Sequence, residues 1–349
     1  MKKRLITIVA GICALALLGG CAGGAKGALS NDNITIKKYK GLEVDKVEAI
    51  AVTDEDVELS IQSDLETLAT TTDVTGRAAQ LGDIAVIDYE GKKDGVAFEG
   101  GTATDSELEL GSKTFIDGFE DGVVGHEIGE TFDLNLTFPE NYGNTELAGQ
   151  EVVFTVTLKG IKVKNVPELT VDILAQLGSE AKTIEEYKAQ IKSDLEKSNK
   201  ETAESTLLNS IWEVLVENCE VKKYPNGMVE EYKENLESQY SYYAQMYGME
   251  VEEFFKQMLG VTLDEAAKKT VTQELAVSLI AEKEKLTLTD KEYETGVQEF
   301  AEQYGYQDTE EFAKAYGEDA IRKALLQEKV GKFLVDNCVQ VEPKTETQE

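Results

Sequence analysis

The feature that most constrains the fold is a change of hydrophobic period partway along the chain. Thr131 to Phe138 alternates strictly, with Phe132, Leu134, Leu136 and Phe138 on one face. Glu151 to Leu158 does the same through Val152, Phe154, Val156 and Leu158. A period of two is that of a half-buried strand. Ile84–Tyr89 and Glu107–Leu110 read as further strands, Gly-rich turns separate them, and the one helix expected among them lies between Phe115 and Val124. Beyond residue 165 apolar residues recur three and four apart in stretches rich in Glu, Lys, Ala and Leu, and after Pro167 only Pro225 and Pro343 follow. That is the helical period, almost free of helix breakers. The expected fold class is α+β: one antiparallel sheet around a short helix over residues 82–165, then an all-α region over 166–342. Strands followed by helices, with no βαβ rhythm, argue against an alternating α/β build.

Within the helical region Ile184 to Val216 predicts one long helix or two joined, and Pro225-Asn-Gly-Met-Val229 opens another. Tyr247-Gly-Met-Glu-Val-Glu-Glu-Phe254 resembles Tyr304-Gly-Tyr-Gln-Asp-Thr-Glu-Glu-Phe312, a weak repeat that predicts two helical hairpins with similar tips. Residues 34–81 form a linker with a short strand-like piece at Ile34-Thr-Ile-Lys37. Its helix starts at Thr53-Asp-Glu-Asp56, a capping-box-like sequence, and continues through Val57, Ile61, Leu65 and Leu68. Residues 343–349 are a tail.

The first residues carry a targeting pattern. Lys2, Lys3 and Arg4 precede an uncharged run from Leu5 to Leu18, shorter than the ~20 residues that span a bilayer. The run ends in Leu18-Gly19-Gly20-Cys21, which resembles a lipobox. The resemblance implies a signal peptide over residues 1–20, a lipid on Cys21, and residence at the extracytoplasmic face of the cell membrane. Two or more acyl chains would hold such a protein stably, one only marginally. Residues 21–33, small and polar after the Cys, are expected to be a flexible tether.

Composition limits the chemistry. With 35 Lys and Arg against 67 Asp and Glu, the formal net charge is −32, and loss of the signal removes three further cations. Such a surface repels nucleic acid and anionic headgroups. The chain has one histidine, His126, in a Gly-flanked turn. Any Ser-His-Asp or Cys-His site must use it, and a His-based metal cluster is excluded. No metal or cofactor is expected. Cys13 leaves with the signal. Cys219 and Cys338 lie in similar contexts, Val-Glu-Asn-Cys219 and Val-Asp-Asn-Cys338, and the two readings are a disulfide, permitted outside the cytoplasm, or thiols at equivalent helix ends.

Seven short motifs occur in order in the strand region. They are Gly82-Asp83-Ile-Ala-Val-Ile-Asp88-Tyr89-Glu-Gly91, Gly95-Val-Ala-Phe98-Glu99-Gly100, Leu108-Glu-Leu110-Gly111, Phe115-Ile116-Asp-Gly118-Phe119, Gly125-His-Glu-Ile-Gly129-Glu, Phe138-Pro139-Glu-Asn-Tyr142-Gly143 and Leu147-Ala-Gly149. Together they resemble the FKBP-type prolyl isomerase domain in its trigger-factor form. Tyr39-Lys-Gly-Leu and Arg77-Ala-Ala-Gln-Leu-Gly-Asp83 resemble the lead-in to that domain. Residues 166–342, with Val221-Lys-Lys-Tyr-Pro225, resemble the two-armed helical chaperone domain of trigger factor. The ribosome-docking domain that opens trigger factor has no counterpart in this reading; the signal and tether stand in its place.

The resemblance implies a set of site residues. Tyr89, Phe98, Glu99, Ile116, Phe119, Tyr142 and Phe154 match the catalytic pocket, with Phe115 and Leu147 contacting substrate. Ile116 corresponds to the residue whose backbone N–H meets the substrate carbonyl, and Phe119 to the pocket floor. Glu99 stands where many relatives have Asp. Ser106 replaces an aromatic of single-domain members and the loop after Tyr142 is short, departures that bear on macrolide binding more than on isomerisation. Read from residues alone, Phe98, Phe119 and Phe154 are equally suited to a plain sheet core, whereas the phenols of Tyr89 and Tyr142 require partners. Tyr240, Tyr242, Tyr243, Met246 and Tyr247, with Phe254, Phe255 and Met258, read either as hairpin core or as an adaptable surface for unfolded chains.

The expected function is a peptidyl-prolyl cis-trans isomerase and chaperone for newly exported polypeptides containing X-Pro bonds, with no nucleic acid and no ribosome as partner. The alternative is a non-catalytic holdase.

Overall fold

The structure, a computed structural model, describes residues 28–343. The expected signal, Cys21, most of the tether, and the tail from residue 344 lie outside the described residues. In chain order, strands β1 (Leu29–Ser30), β2 (Ile34–Ile36) and β3 (Glu43–Asp45) precede helix α1 (Asp54–Glu66). Strands β4 (Thr70–Val74), β5 (Asp83–Lys93) and β6 (Val96–Glu109), helix α2 (Phe119–Val123), and strands β7 (Thr131–Thr137) and β8 (Glu151–Asn165) follow. Helices α3 (Val171–Gln176) and α4 (Ile184–Glu217) lead to strand β9 (Cys219–Val221). Helices α5 (Met228–Met246), α6 (Val251–Met258), α7 (Leu263–Glu284), α8 (Asp290–Gln303), α9 (Thr309–Tyr316) and α10 (Glu318–Asp336) come before strand β10 (Val339–Val341). Strands then helices give the α+β class expected. The chain divides into two compact units, one of residues Val52–Leu195 and one formed by the chain before and after it.

The Val52–Leu195 unit is built on an antiparallel sheet in the order β4-β8-β5-β6, with β7 also paired to β8. Val152, Phe154, Val156 and Leu158 of β8 are all buried, as their alternation requires. A register shift then sets Val86 opposite Gly160 and Ile87 opposite Leu158, so Lys159 is the extra residue of a bulge. The bulge reverses the parity of β8, and Ile161 becomes the next core residue. Helix α2 buries Phe119 and Val123 against the same core. Strand β4 is not signalled by alternation, since four of its five side chains are exposed; pairing with residues 161–165 of β8 makes it a strand. Helix α1 starts at the capping box formed by Thr53 and Asp56 and buries Val57, Ile61 and Leu65. With Leu174 and Tyr187 they form a separate small core, and the Tyr187 hydroxyl donates to Asp64 at 2.6 Å.

The other unit is mostly helical. Leu29 and Ser30, expected in the tether, form β1 against β2. β2 pairs in turn with β9, Ile34 opposite Val221 and Ile36 opposite Cys219, and β3 runs parallel to β10. Ile34 and Ile36 are wholly buried among Ile211, Trp212 and Leu215 of α4, Ile280 of α7, and Val330 and Leu334 of α10. The Tyr39 hydroxyl donates to Glu284 at 2.6 Å. Ile184–Glu217 is a single helix. The predicted hairpin tips are present: α5 and α8 each end at a Tyr-Gly pair in which the glycine, Gly248 or Gly305, takes positive φ. In both, the amide after the glycine reaches back to the helix, Met249 to Ala244 and Tyr306 to Ala301, the bond that closes a helix end over a left-handed residue. Each hairpin has a core of its own, Phe254 and Phe255 in one, Phe300 and Phe312 in the other. The first aromatic cluster is divided between the two readings: Phe254 and Phe255 are core, while Tyr242, Tyr243, Met246, Tyr247 and Met258 are exposed. Cys219 and Cys338 are free thiols. Cys219 donates to the Leu215 carbonyl at 3.2 Å, and burial pushes its thiol up to about 12, which suppresses thiolate chemistry.

Ile36 links the first residues of this unit to helices far along the chain. Ile36→Ala is expected to lower the stability of the helical unit by about 2–5 kcal/mol, read by chemical denaturation of the full chain. Tryptophan fluorescence from Trp212 isolates the transition, and an unchanged midpoint would contradict the assigned role.

Candidate functional site

Most of the expected site residues, Glu99 excepted, meet in one aromatic cluster against the sheet core. On β5, Ala85 and Ile87 are fully buried and Tyr89, on the same parity, is half-buried. Phe98 comes from β6, Phe154 from β8, and Phe119 opens α2. Phe119 has no exposed surface and Phe154 little. Their rings meet at 5.2 Å with planes at 81°, and Phe154 also meets Phe98 at 5.8 Å and 90° and Tyr89 at 6.0 Å and 65°. Phe115 lies 4.5 Å from Phe119 and 5.5 Å from Tyr89. Edge-to-face rings of this kind add about 0.5–1.5 kcal/mol per pair beyond area burial. Room for Phe98 comes from two glycines: a Cβ on Gly91 or Gly101 would stand 2.6 Å from its ring.

Tyr142 joins through Phe138, the residue that opens its own motif and was not expected in the site. Phe138 packs on Phe98 at 5.8 Å and on Tyr142 at 4.5 Å. Leu147 is buried in the same cluster, and Phe115 and Ile116 are packed against it. Glu99 is exposed and is not brought into the ring cluster; adjacent strand residues face opposite sides, and Phe98 takes the inner one. His126 stands apart, stacked on Phe132 at 3.5 Å, with Nδ1 2.7 Å from Glu130 Oε2. Among the described residues no group of His, Cys, Asp and Glu could hold a metal ion.

The polar equipment is sparse. Among the described residues, the Tyr89 and Tyr142 hydroxyls and the Ile116 N–H have no hydrogen-bond partner. The Ile116 carbonyl accepts from Phe119 N at 3.1 Å. Two buried carboxylates brace the surroundings: Asp83, which closes the lead-in motif from Arg77, and Glu120, which belongs to none of the seven motifs. Asp83 takes both arms of the Arg77 guanidinium, at 2.5 and 2.7 Å, and the Gln80 N–H at 2.8 Å. Glu120 gathers N–H donors from residues 111–115. A surface of aromatic rings with the free Ile116 amide beside it can bind an apolar ring and fix an adjacent carbonyl. It offers no nucleophile and no acid–base pair.

Residues 75–159 match the family described as FKBP-type peptidyl-prolyl cis-trans isomerase, and residues 183–336 the one described as bacterial trigger factor protein C-terminus. The chain is 38% identical over 315 residues to the trigger factor of Thermoanaerobacter sp. (strain X514), covering 87% of this chain and 72% of that one. To the trigger factor of Clostridium tetani it is 36% identical over 319 residues, with coverage of 88% and 73%. A solved chain of the trigger factor chaperone, from work on promiscuous substrate recognition in folding and assembly, aligns at TM-score 0.42 and 18% identity over 86% of this chain and 74% of that one.

The carboxylates give this unit a pH dependence. The Arg77 guanidinium holds Asp83 below its ordinary range. For Glu120 desolvation pushes upward, but the amides of Lys113, Phe115 and Gly111 outweigh it and the net direction is down. A lowered folded value means stability present above the unfolded carboxyl values, about 3.9 for Asp and 4.3 for Glu, and lost as pH falls through the folded ones. The unit should therefore weaken below about pH 4. Asp83→Asn should start about 1.5–3 kcal/mol less stable at neutral pH and lose less on acidification. Thermal melts from pH 7 to pH 2 check this, and equal pH slopes for the two proteins would refute it.

Proposed function

The chain belongs to the trigger factor family, and on that premise we propose that it is a lipid-anchored foldase, a prolyl isomerase and chaperone for exported polypeptides at the extracytoplasmic face of the membrane. The observation that carries the catalytic half is the ring cluster of Tyr89, Phe98, Phe115, Phe119 and Phe154 beside the unpaired Ile116 N–H.

The reaction asks for little else. Rotation about an X-Pro amide is opposed by resonance, a barrier of about 18–20 kcal/mol, and takes tens to hundreds of seconds unaided. A twisted amide has lost resonance and is less dipolar than a planar one. Aromatic walls therefore favour the twisted state over the ground state, and each 1.4 kcal/mol or so of that difference is about tenfold in rate. In this reading the proline ring sits over Phe119 and Phe154, with Phe98 and Tyr142 beside it. Ile116 N–H donates to the carbonyl of the substrate, and Phe115 and Leu147 contact the flanking chain. Glu99, outside the cluster, acts at most on residues next to the proline. No cofactor is required, because no bond is broken.

The chaperone half rests on the exposed Tyr242, Tyr243, Met246, Tyr247 and Met258 at the first hairpin tip, rings and thioethers that adapt to varied apolar segments. A client held by one unit presents its X-Pro bonds to the other at raised effective concentration. The same exposed residues favour the second reading, a holdase without catalysis. Anchoring at Cys21 and action away from the ribosome are supported by the signal-like residues 1–20.

The deciding experiment is the cis/trans rate of a short Xaa-Pro peptide with residues 22–349. Acceleration is expected, falling at least tenfold in folded Tyr89→Ala and Phe154→Ala variants. A folded wild type without acceleration would establish the holdase reading instead. For the anchor, cell fractionation should move the protein from membrane to soluble fraction on Cys21→Ser, and an unchanged membrane fraction would rule out lipidation there.

A further inference from the structure

We propose that Glu120 is a positioning residue for the isomerase reaction: its carboxylate clamps the backbone of residues 111–115 and so fixes the next amide, that of Ile116, as donor to the substrate carbonyl. The assignment rests on the isomerase reading above.

The geometry is unusual for a glutamate. Its residue is 7% exposed. Oε2 accepts from the amides of Gly111 at 2.8 Å and Lys113 at 3.0 Å. Oε1 accepts from the amides of Thr114 at 2.9 Å and Phe115 at 3.2 Å, and from the Ser112 hydroxyl at 3.1 Å. None of these donors belongs to α2, the helix that carries Glu120, so the carboxylate is not serving its own helix end. The loop has little else to hold it. Among residues 111–116 of the described chain, the one amide bonded to another backbone group is that of Ser112, to Glu109 at 3.2 Å. Lys113 is held at a φ of 59°, a left-handed conformation costly for a side chain with a Cβ. A buried carboxylate is tolerated only with such donors, and charge-assisted bonds are the strong ones. The amide donors hold the group ionised throughout neutral pH.

The clamp ends where the proposed chemistry begins. Four amides from residue 111 to residue 115 converge on Glu120, and the following one, at Ile116, is left without an acceptor. Phe115, whose amide is the last one clamped, lies 5.5 Å from the Tyr89 ring. A Gln at this position offers one accepting oxygen and turns an NH2 group toward N–H donors. The loop would keep its length and lose its fixed path.

The test uses residues 22–349, with Glu120→Gln, Glu120→Asp and, as a stability control, Ile61→Ala in the separate core under α1. Peptide isomerisation gives kcat and KM, and amide hydrogen exchange reports on residues 111–116. The expected result is a kcat at least tenfold lower for Glu120→Gln, with KM within about twofold and faster exchange confined to the loop. Glu120→Asp, which keeps the charge, should recover part of the loss, and Ile61→Ala should keep wild-type kcat. A folded Glu120→Gln protein within twofold of wild-type kcat would overturn the assignment, as would an equal loss in Ile61→Ala. An inactive wild type is the separate failure of the isomerase reading, and the role assigned to Glu120 falls with it.

Discussion

Much of the Val52–Leu195 unit depends on the hydrogen-bonding of a single strand. β8 is paired along one edge with β5 for most of its length, and along the other with β7 and then β4. Between those two, the Leu158 amide and carbonyl are taken up by Glu130 and Gly129. The strand therefore has no free edge to slip along. Its inner face supplies Phe154 to the ring cluster, and its bulge at Lys159 keeps Ile161 in the core after the parity changes. If β8 moved by one residue, every buried side chain on it would turn to solvent, and Phe154 would leave the ring cluster.

The cluster illustrates how little polar chemistry such a surface contains. Tyr89, Phe98, Phe115, Phe119, Phe138 and Phe154 form a continuous set of edge-to-face contacts. The charged groups nearby are directed at the backbone that shapes the site. Asp83 secures the chain entering β5, and Glu120 the loop ahead of α2. Charge is used to hold geometry, and the working surface stays apolar. Outside the core, lysines of β8 pair with acids of β6, Lys162 with Glu107 and Lys164 with Glu109. Exposed pairs of this kind contribute little to stability.

What could be read in advance follows the physical signals available. β7 and β8 announce themselves by alternation, α1 by its capping box, and the paired hairpin tips by the recurrence of Tyr-Gly. Phe98, Phe115 and Phe119 were legible through motif order, and Phe154 through the alternation of its strand together with the resemblance. The carboxylate of Glu120 was not, because its partners are amides, and every residue has one. β4 escaped notice because Thr70-Thr-Thr-Asp-Val74 has no buried alternate set; its strand character comes from β8. Leu29–Ser30 looked like tether for the same reason. A two-residue strand has no periodicity to detect, and nothing local to Ile34–Ile36 points to its partner at residues 219–221.

That last pairing bears on the order in which the chain can acquire structure. β2 cannot gain its neighbour β9 until residue 221 exists, nor β3 its neighbour β10 until residue 341 does. Residues 52–195, by contrast, are contiguous. In a chain delivered from its N-terminus, the sheet unit is complete while Ile34 and Ile36 still face water. The helical unit closes last, around the oldest and the newest residues at once. Loop-closure entropy makes such distant pairings slow, so for a time each molecule carries a finished ring cluster on an unfinished body, and the late half matures in the presence of the early one.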